Sequence, residues 1–129
     1  MISGFYAALC SLFIIVLSVR IVRMRRKYQV GIGDGGEKVL ARAIRVQANA
    51  VEYIPISLLL LFIAENNGAN IWLLHIFGLS LLFGRLLHAY GLSRRGGVSF
   101  GRYWGIVITW LVMIGLSIQL IYDYLSASV

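Results

Sequence analysis

The sequence predicts an all-α integral membrane protein that crosses the bilayer as a four-helix bundle. Apolar residues make up 60% of the 129 residues, and charged residues make up only 13%. A soluble domain of this size would expose much of that apolar surface to water, so the surrounding solvent must be lipid. A spanning helix needs roughly 20 apolar residues, and about four such segments fit this length. Residues 1–129 are therefore predicted to form a single four-helix transmembrane domain.

The first two helices are predicted at residues 2–26 and 37–64. The apolar run from Ile2 to Val19 is followed by a cluster of basic residues at positions 20–27. A signal peptide carries its positive charge before the apolar stretch, so this segment is predicted to be an uncleaved helix with its N-terminus outside. The glycine-rich segment 31–36 lacks the preceding strand and the Gly-Lys-Ser/Thr ending of a phosphate-binding loop, and it is predicted to be a connector.

The third and fourth helices are predicted at residues 71–92 and 102–124, after a polar turn and a basic loop. His75 and His88 are far apart, and the single Cys10 lies inside the first apolar run. Two distant histidines without a cysteine pair do not form a zinc or iron site, so we expect no metal.

The basic residues are distributed asymmetrically between the two sides of the predicted bundle. All 12 Lys and Arg fall on the side of the loops joining helices one to two and three to four, or on the helix ends facing that side. By the positive-inside rule, both termini and the turn at 65–70 are extracytoplasmic. A nucleic-acid-binding protein would instead carry its cations on a solvated face. The net charge of +7 is therefore attributed to membrane topology, with no nucleic-acid partner expected.

A polar stripe on helix two is the strongest candidate for a functional site. Arg42, Arg45, Asn49 and Glu52 are spaced by three, four and three residues, so they share one narrow face of a helix. Charges at membrane depth cost roughly 2.5–3.5 kcal/mol each, so each requires a reason. The stripe can be a self-neutralising structural network, or it can be the wall of a pocket for a small zwitterion.

Helix three supplies a second polar face. Arg85 and His88 are three residues apart and therefore point to the same side of this helix. One possibility is that Arg85 forms a buried ion pair with Glu52 across the bundle. His88, taken alone, is more often an interior histidine with its hydrogen bonds satisfied than a ligand or a base.

Residues 42–55, RAIRVQANAVEYIP, resemble the second helix of the MAPEG superfamily, the membrane-associated proteins of eicosanoid and glutathione metabolism. The family pattern is an Arg, three residues, an Asn, two residues, a Glu and then a Pro. The segments VRMRRK at 22–27 and GRLLHAY at 84–90 resemble the family's first and third helices, the latter as written in bacterial members. The sequence departs from the prostaglandin-type pattern at Ala48 and from the leukotriene type at His88.

The resemblance implies a homotrimer in a bacterial inner membrane, with glutathione as cosubstrate at each subunit interface, open to the cytoplasmic side. Carried over by position, the residues that would hold glutathione are Arg23, Arg45, Asn49, Glu52, Tyr53, Arg85 and His88. Its two carboxylates suit arginine forks, and its ammonium suits a glutamate.

The resemblance also implies a catalytic arginine near the start of helix four that stabilises the glutathione thiolate. The best match is Arg102, with Arg94 and Arg95 as alternates. A cation beside a thiol lowers the thiol pKa and raises its reactive fraction at neutral pH. The implied activity is that of a glutathione S-transferase or peroxidase acting on a lipophilic electrophile.

Two other functions fit parts of the sequence. A non-catalytic bundle would use the polar stripe only to lock helices together, with Arg45 and Glu52 paired to each other or to Arg85 and no cavity. A small multidrug transporter also has four helices and one membrane-embedded glutamate. Such transporters often assemble in both orientations and so show little Lys/Arg bias, whereas the bias here is complete.

Overall fold

The structure is a computed structural model that describes residues 1–128; Val129, the last residue of the predicted domain, lies outside the described residues. The four helices are α1 (Ile2–Tyr28), α2 (Lys38–Asn66), α3 (Ile71–Arg94) and α4 (Phe100–Ala127). Each is long and apolar enough to cross a membrane, and the described residues contain no strand. The predicted all-α, four-helix membrane class is therefore confirmed.

The helix ends follow from local capping signals. Asn70 caps α3, because its side-chain oxygen accepts a hydrogen bond of 2.8 Å from the Trp72 amide. Ser99 does the same for α4 by accepting from the Arg102 amide at 3.3 Å, so this helix begins at Phe100 rather than at 102. α1 ends at Gln29, which adopts a left-handed conformation while the Val30 amide donates back to the Arg25 carbonyl.

α2 and α3 form the centre of the bundle. α1 packs on α2 and α3, and α4 packs on α3 and α2, whereas α1 and α4 do not contact each other within the described residues. Short connections join successive helices that pack together, so neighbours run antiparallel. This arrangement brings the C-terminal ends of α1 and α3 and the N-terminal ends of α2 and α4 to one side, which we call the basic end.

Glycines let α3 and α4 approach closely. A methyl group added at Gly105 would lie 2.5 Å from the His88 amide nitrogen, and one added at Gly91 would meet the backbone at residues 101 and 102. Small residues at such a crossing allow backbones to pack without side chains between them, as is usual for membrane helices. The contact fixes His88 and Arg102 relative to each other.

At the opposite end, a side chain from α2 caps α1. The Glu65 carboxylate accepts hydrogen bonds from the Ile2 amide at 2.6 Å and the Ser3 amide at 2.9 Å, and it also accepts from the Ser3 hydroxyl. Met1, the N-cap residue of α1, makes no side-chain capping bond of its own. Because the first amides of a helix have no partners within that helix, Glu65 supplies what the local sequence does not.

We predict that Glu65→Ala destabilises the bundle by roughly 1–2 kcal/mol, the usual cost of losing a helix cap. The measurement is the unfolding transition of the purified protein in a detergent titration with sodium dodecyl sulfate. Asp123→Ala is the matched control, because Asp123 lies at the same end and its side chain bonds only to Gln119 one turn away. Equal stability of the two variants would contradict the capping role.

We further predict that Gly105→Ala costs roughly 1–3 kcal/mol, because the added methyl group meets backbone atoms that cannot rotate away. The same unfolding titration measures it. The control is Gly4→Ala on α1, where the nearest atom to the added carbon is the Met1 Cβ at 3.6 Å, an ordinary contact. A Gly105→Ala protein as stable as the Gly4→Ala protein would show that the close approach is not needed.

Candidate functional site

Arg85 on α3 is the buried centre of the polar region. Only 1% of its surface is exposed. Its guanidinium donates to the Asn49 side-chain oxygen on α2 and, at 3.3 Å, to the Thr109 hydroxyl on α4, and it stacks over the Tyr53 ring with a centroid distance of 5.5 Å. Thr109 in turn donates to the Gly105 carbonyl at 2.8 Å. One side chain from α3 is thus bound to α2 and α4.

Glu52 pairs with Arg45 on its own helix, two turns away, and not with Arg85. The closest Arg45–Glu52 oxygen-to-nitrogen distance is 3.6 Å, and the two side chains are 59% and 52% exposed. The ion pair between Glu52 and Arg85 that the sequence suggested as a possibility is therefore not formed. Neutral partners from Asn49 and Thr109 take its place around Arg85.

A cavity of about 210 Å³ lies beside this network at the basic end of the bundle. The residues around it come from α2, from the C-terminal half of α3, from the α3–α4 loop and from the first turn of α4. They are Ala41, Arg42, Arg45, Asn49, His88, Leu92, Gly96 and Arg102. The cavity thus combines three arginines, an amide and an imidazole, with no carboxylate in its wall.

Two polar atoms in the cavity wall are buried without hydrogen-bond partners among the described residues. They are the Nδ1 atom of His88, a residue that is 3% exposed, and the Nε atom of Arg42. The Nε atom of Arg85, next to the cavity, is in the same state. Buried polar atoms are nearly always satisfied, so these three nitrogens mark the surroundings of the cavity as the region where polar partners are missing among the described residues.

Arg102 is oriented by the loop that precedes α4. One of its terminal nitrogens donates to the Gly96 carbonyl at 2.8 Å and lies 3.5 Å from the Gly97 carbonyl. Since a guanidinium has five donors, the others can still reach the cavity. The loop backbone thus holds a cation in the cavity wall.

The predicted site residues fall into three groups. Arg45, Asn49, His88 and Arg102 line the cavity. Glu52, Tyr53 and Arg85 contact these residues or one another just behind it. Arg23 lies elsewhere, in a groove on α1 with Arg20 and Lys27, and within one chain it does not reach the cavity.

Arg42 was placed in the polar stripe but not among the residues expected to hold glutathione, and two further contributors were not predicted at all. Arg42 had a signal, because it precedes Arg45 by three residues on the same helix face. Thr109 and the Gly96 carbonyl had no such sequence signal, because a single threonine in an apolar helix and a single glycine in a loop belong to no recognisable pattern. Both matter here, because Thr109 binds Arg85 and Gly96 binds Arg102.

Chemically, the cavity suits an anionic molecule that also has hydrogen-bonding groups. Arginine forks bind carboxylates through paired N–H donors, and Asn49 and His88 can accept or donate. Within residues 1–128, no group of three or more His, Cys, Asp or Glu is placed to hold a metal ion.

Comparison with known proteins identifies the family of this chain. The model of the MAPEG family matches residues 3–122. The inner membrane protein YecN of Escherichia coli strain K12 is 44% identical over 114 residues, covering 88% of this chain and 86% of YecN. YecN of strain CFT073 is similar to the same extent. The match runs through all four helices, including every residue of the cavity wall, and the chain therefore belongs to the MAPEG family.

Proposed function

We propose that the protein binds glutathione in the cavity at the basic end and uses it as a glutathione S-transferase or peroxidase on lipophilic electrophiles. The observation that carries the proposal is the cavity of about 210 Å³, which has three arginines in its wall and unpartnered buried nitrogens on His88 and Arg42. Glutathione is an anionic peptide of matching chemistry. Its carboxylates suit Arg42 and Arg45, and its amide groups suit Asn49 and His88.

The protein is proposed to act as a homotrimer. Arg45 and Glu52 are more than half exposed in one chain; Glu52 lies near the middle of the membrane-spanning α2, and Arg45 lies two turns closer to the basic end. An ion pair facing lipid at this depth is costly, so another protein surface is expected to cover it. In a trimer with glutathione at the subunit interface, Arg23 of a neighbouring subunit can complete the cavity, which explains why it stands apart within one chain.

In the proposed reaction, Arg102 stabilises the thiolate of glutathione. The guanidinium lies in the cavity wall, held by the Gly96 carbonyl, and a neighbouring cation favours loss of the thiol proton to water. The sulfur then attacks an electrophilic carbon, a carbon–sulfur bond forms, and the electron pair leaves with the displaced group. In a peroxidase reaction the sulfur attacks a peroxide oxygen instead, and the oxygen–oxygen bond breaks to release an alcohol and leave a sulfenic acid. A second glutathione thiol then attacks the sulfenic sulfur, which forms the disulfide and releases water.

The proposed orientation places both termini outside the cytoplasm and the cavity at the cytoplasmic end. Apart from Arg85, the Lys and Arg residues lie in the two loops at the basic end or on the helix ends around them, and such loops remain on the cytoplasmic side. Cytoplasmic glutathione would then enter from water, while an apolar substrate would enter from the surrounding bilayer.

A non-catalytic bundle is the alternative with an observation in its favour, namely the pairing of Arg45 with Glu52. A polar stripe that only locks helices together does not require a cavity beside it, however. In addition, Arg42 and Arg102 lie in the cavity wall without an acidic partner among the described residues, because Glu52 pairs with Arg45. A measurement of glutathione binding therefore distinguishes the glutathione-dependent enzyme from the non-catalytic bundle.

We predict saturable binding of glutathione to the purified, detergent-solubilised protein, measured by titration calorimetry. Arg45→Ala and Glu52→Ala should each weaken binding at least tenfold, the first by removing a carboxylate partner and the second by removing the group that orients Arg45. Arg26→Ala is the control, since this arginine lies on α1 outside the cavity. No binding at millimolar glutathione by the folded protein would refute the assignment.

We predict that Arg102→Gln lowers kcat more than it raises KM for the conjugation of glutathione with an activated aryl chloride. Loss of the cation reduces the thiolate fraction, so the pH–rate profile of the variant should move to higher pH. Arg95→Gln, in the loop that precedes α4 and outside the cavity wall, serves as the comparison. An unchanged profile in Arg102→Gln would transfer the catalytic role to another group.

A further inference from the structure

A second concave surface lies on the outer side of α3 and α4, also at the basic end. This groove has a volume of about 440 Å³, and its wall consists of Leu87, Tyr90, Gly91, Arg94, Arg95, Ser99, Phe100 and Gly101. Leu87, Tyr90 and Arg94 lie roughly half a turn around α3 from Arg85 and His88, which face α2. The groove is therefore separate from the proposed glutathione cavity and faces the surroundings of the bundle.

The groove carries an uncompensated positive charge. No Asp or Glu occurs anywhere between residues 66 and 122, so Arg94 and Arg95 have no acidic neighbour along the chain. Arg94 donates to the Tyr90 hydroxyl at 2.8 Å and lies 5.4 Å from the centre of its ring, which holds the guanidinium over the groove. Arg95 is exposed, and it has no side-chain hydrogen bond or ion pair within residues 1–128.

Below the arginines the wall is apolar. Leu87 lies on the α3 side, and Phe100, which is 74% exposed, lies on the α4 side. Tyr103 and Trp104 are also exposed on the next turn of α4, and they stack edge to face at 5.3 Å. Exposed aromatic rings at one level mark the boundary between headgroups and hydrocarbon. The two arginines therefore lie at headgroup level, with the apolar wall extending toward the acyl chains.

We propose that this groove is a binding site for an anionic phospholipid. The phosphate contacts Arg94 and Arg95, and one acyl chain lies against Leu87 and Phe100. Charge complementarity favours this ligand. The guanidinium groups of Arg94 and Arg95 match the phosphate of a phospholipid, and the apolar wall below them matches an acyl chain. A second copy related by a twofold axis would bring the same acid-free segment to the groove, where like charges would repel.

The test uses the full-length protein, purified in a neutral detergent and examined by native mass spectrometry with added lipid. The probe is 1-palmitoyl-2-oleoyl phosphatidylglycerol, compared with the phosphatidylcholine of the same chains. We expect Arg94→Gln combined with Arg95→Gln to weaken phosphatidylglycerol binding at least tenfold, since each basic residue contributes roughly fivefold to anionic lipid attraction. Phosphatidylcholine binding should stay the same.

The matched control is Arg26→Gln combined with Lys27→Gln, which removes the same charge from the end of α1. It should change phosphatidylglycerol binding less than twofold. An equal loss in both double variants would mean that only the overall charge matters, and it would overturn the site. Inorganic phosphate at the same concentration should not bind; if it binds as tightly, the apolar wall has no role and the proposal fails.

A photoactivatable phosphatidylglycerol gives a second readout that does not depend on the variants. Its crosslinks to the unaltered protein should concentrate on the segment 87–101, and unlabelled phosphatidylglycerol should compete them away. Crosslinks confined to α1 or α2 would contradict the proposal.

Discussion

The buried guanidinium of Arg85 constrains how the helices of the bundle pack against one another. A guanidinium inside a membrane-spanning helix must be surrounded by partners, because lipid offers none. Its two terminal nitrogens donate to Asn49 and Thr109, and its face is covered by the ring of Tyr53. These partners come from α2 and α4. The relative rotation and depth of three helices therefore depend on one side chain, since a shift of any of them would leave a buried charge without its bonds.

The same constraint determines where the cavity forms. Once Arg85 is fixed against Asn49, His88 lies one turn closer to the basic end and faces α2 as well. The glycine contact between α3 and α4 brings the start of α4 alongside, and with it Arg102. The polar wall of the cavity thus results from the register of the helices and from the close approach of the α3 and α4 backbones. The flexible arginine side chains occupy the space that this packing leaves.

The sequence allowed the architecture and much of the cavity wall to be predicted, because both depend on helical periodicity. The lengths of the apolar segments predicted four membrane-spanning helices, and the three- and four-residue spacings predicted that Arg45 and Asn49 share one face of a helix. Partner choice across helices was not predictable in the same way. Glu52 had two possible arginine partners of similar geometry, and only the packed structure shows that the one on its own helix is chosen. Thr109 carries no sequence signal, since its role arises only where α4 meets Arg85.

The cap on α1 has a consequence for how the protein is made. The first amides of α1 receive their hydrogen bonds from Glu65, which lies 62 to 63 positions further along the chain. During synthesis Glu65 cannot cap these amides until the end of α2 lies beside the start of α1. The cap therefore requires the paired α1 and α2. The helices α3 and α4 pack on that pair through contacts of α3 with α1 and α2 and of α4 with α2, and α4 makes no contact with α1 within residues 1–128. The cavity wall uses side chains of α2 and of the later pair, so it is complete only once these helices have packed together.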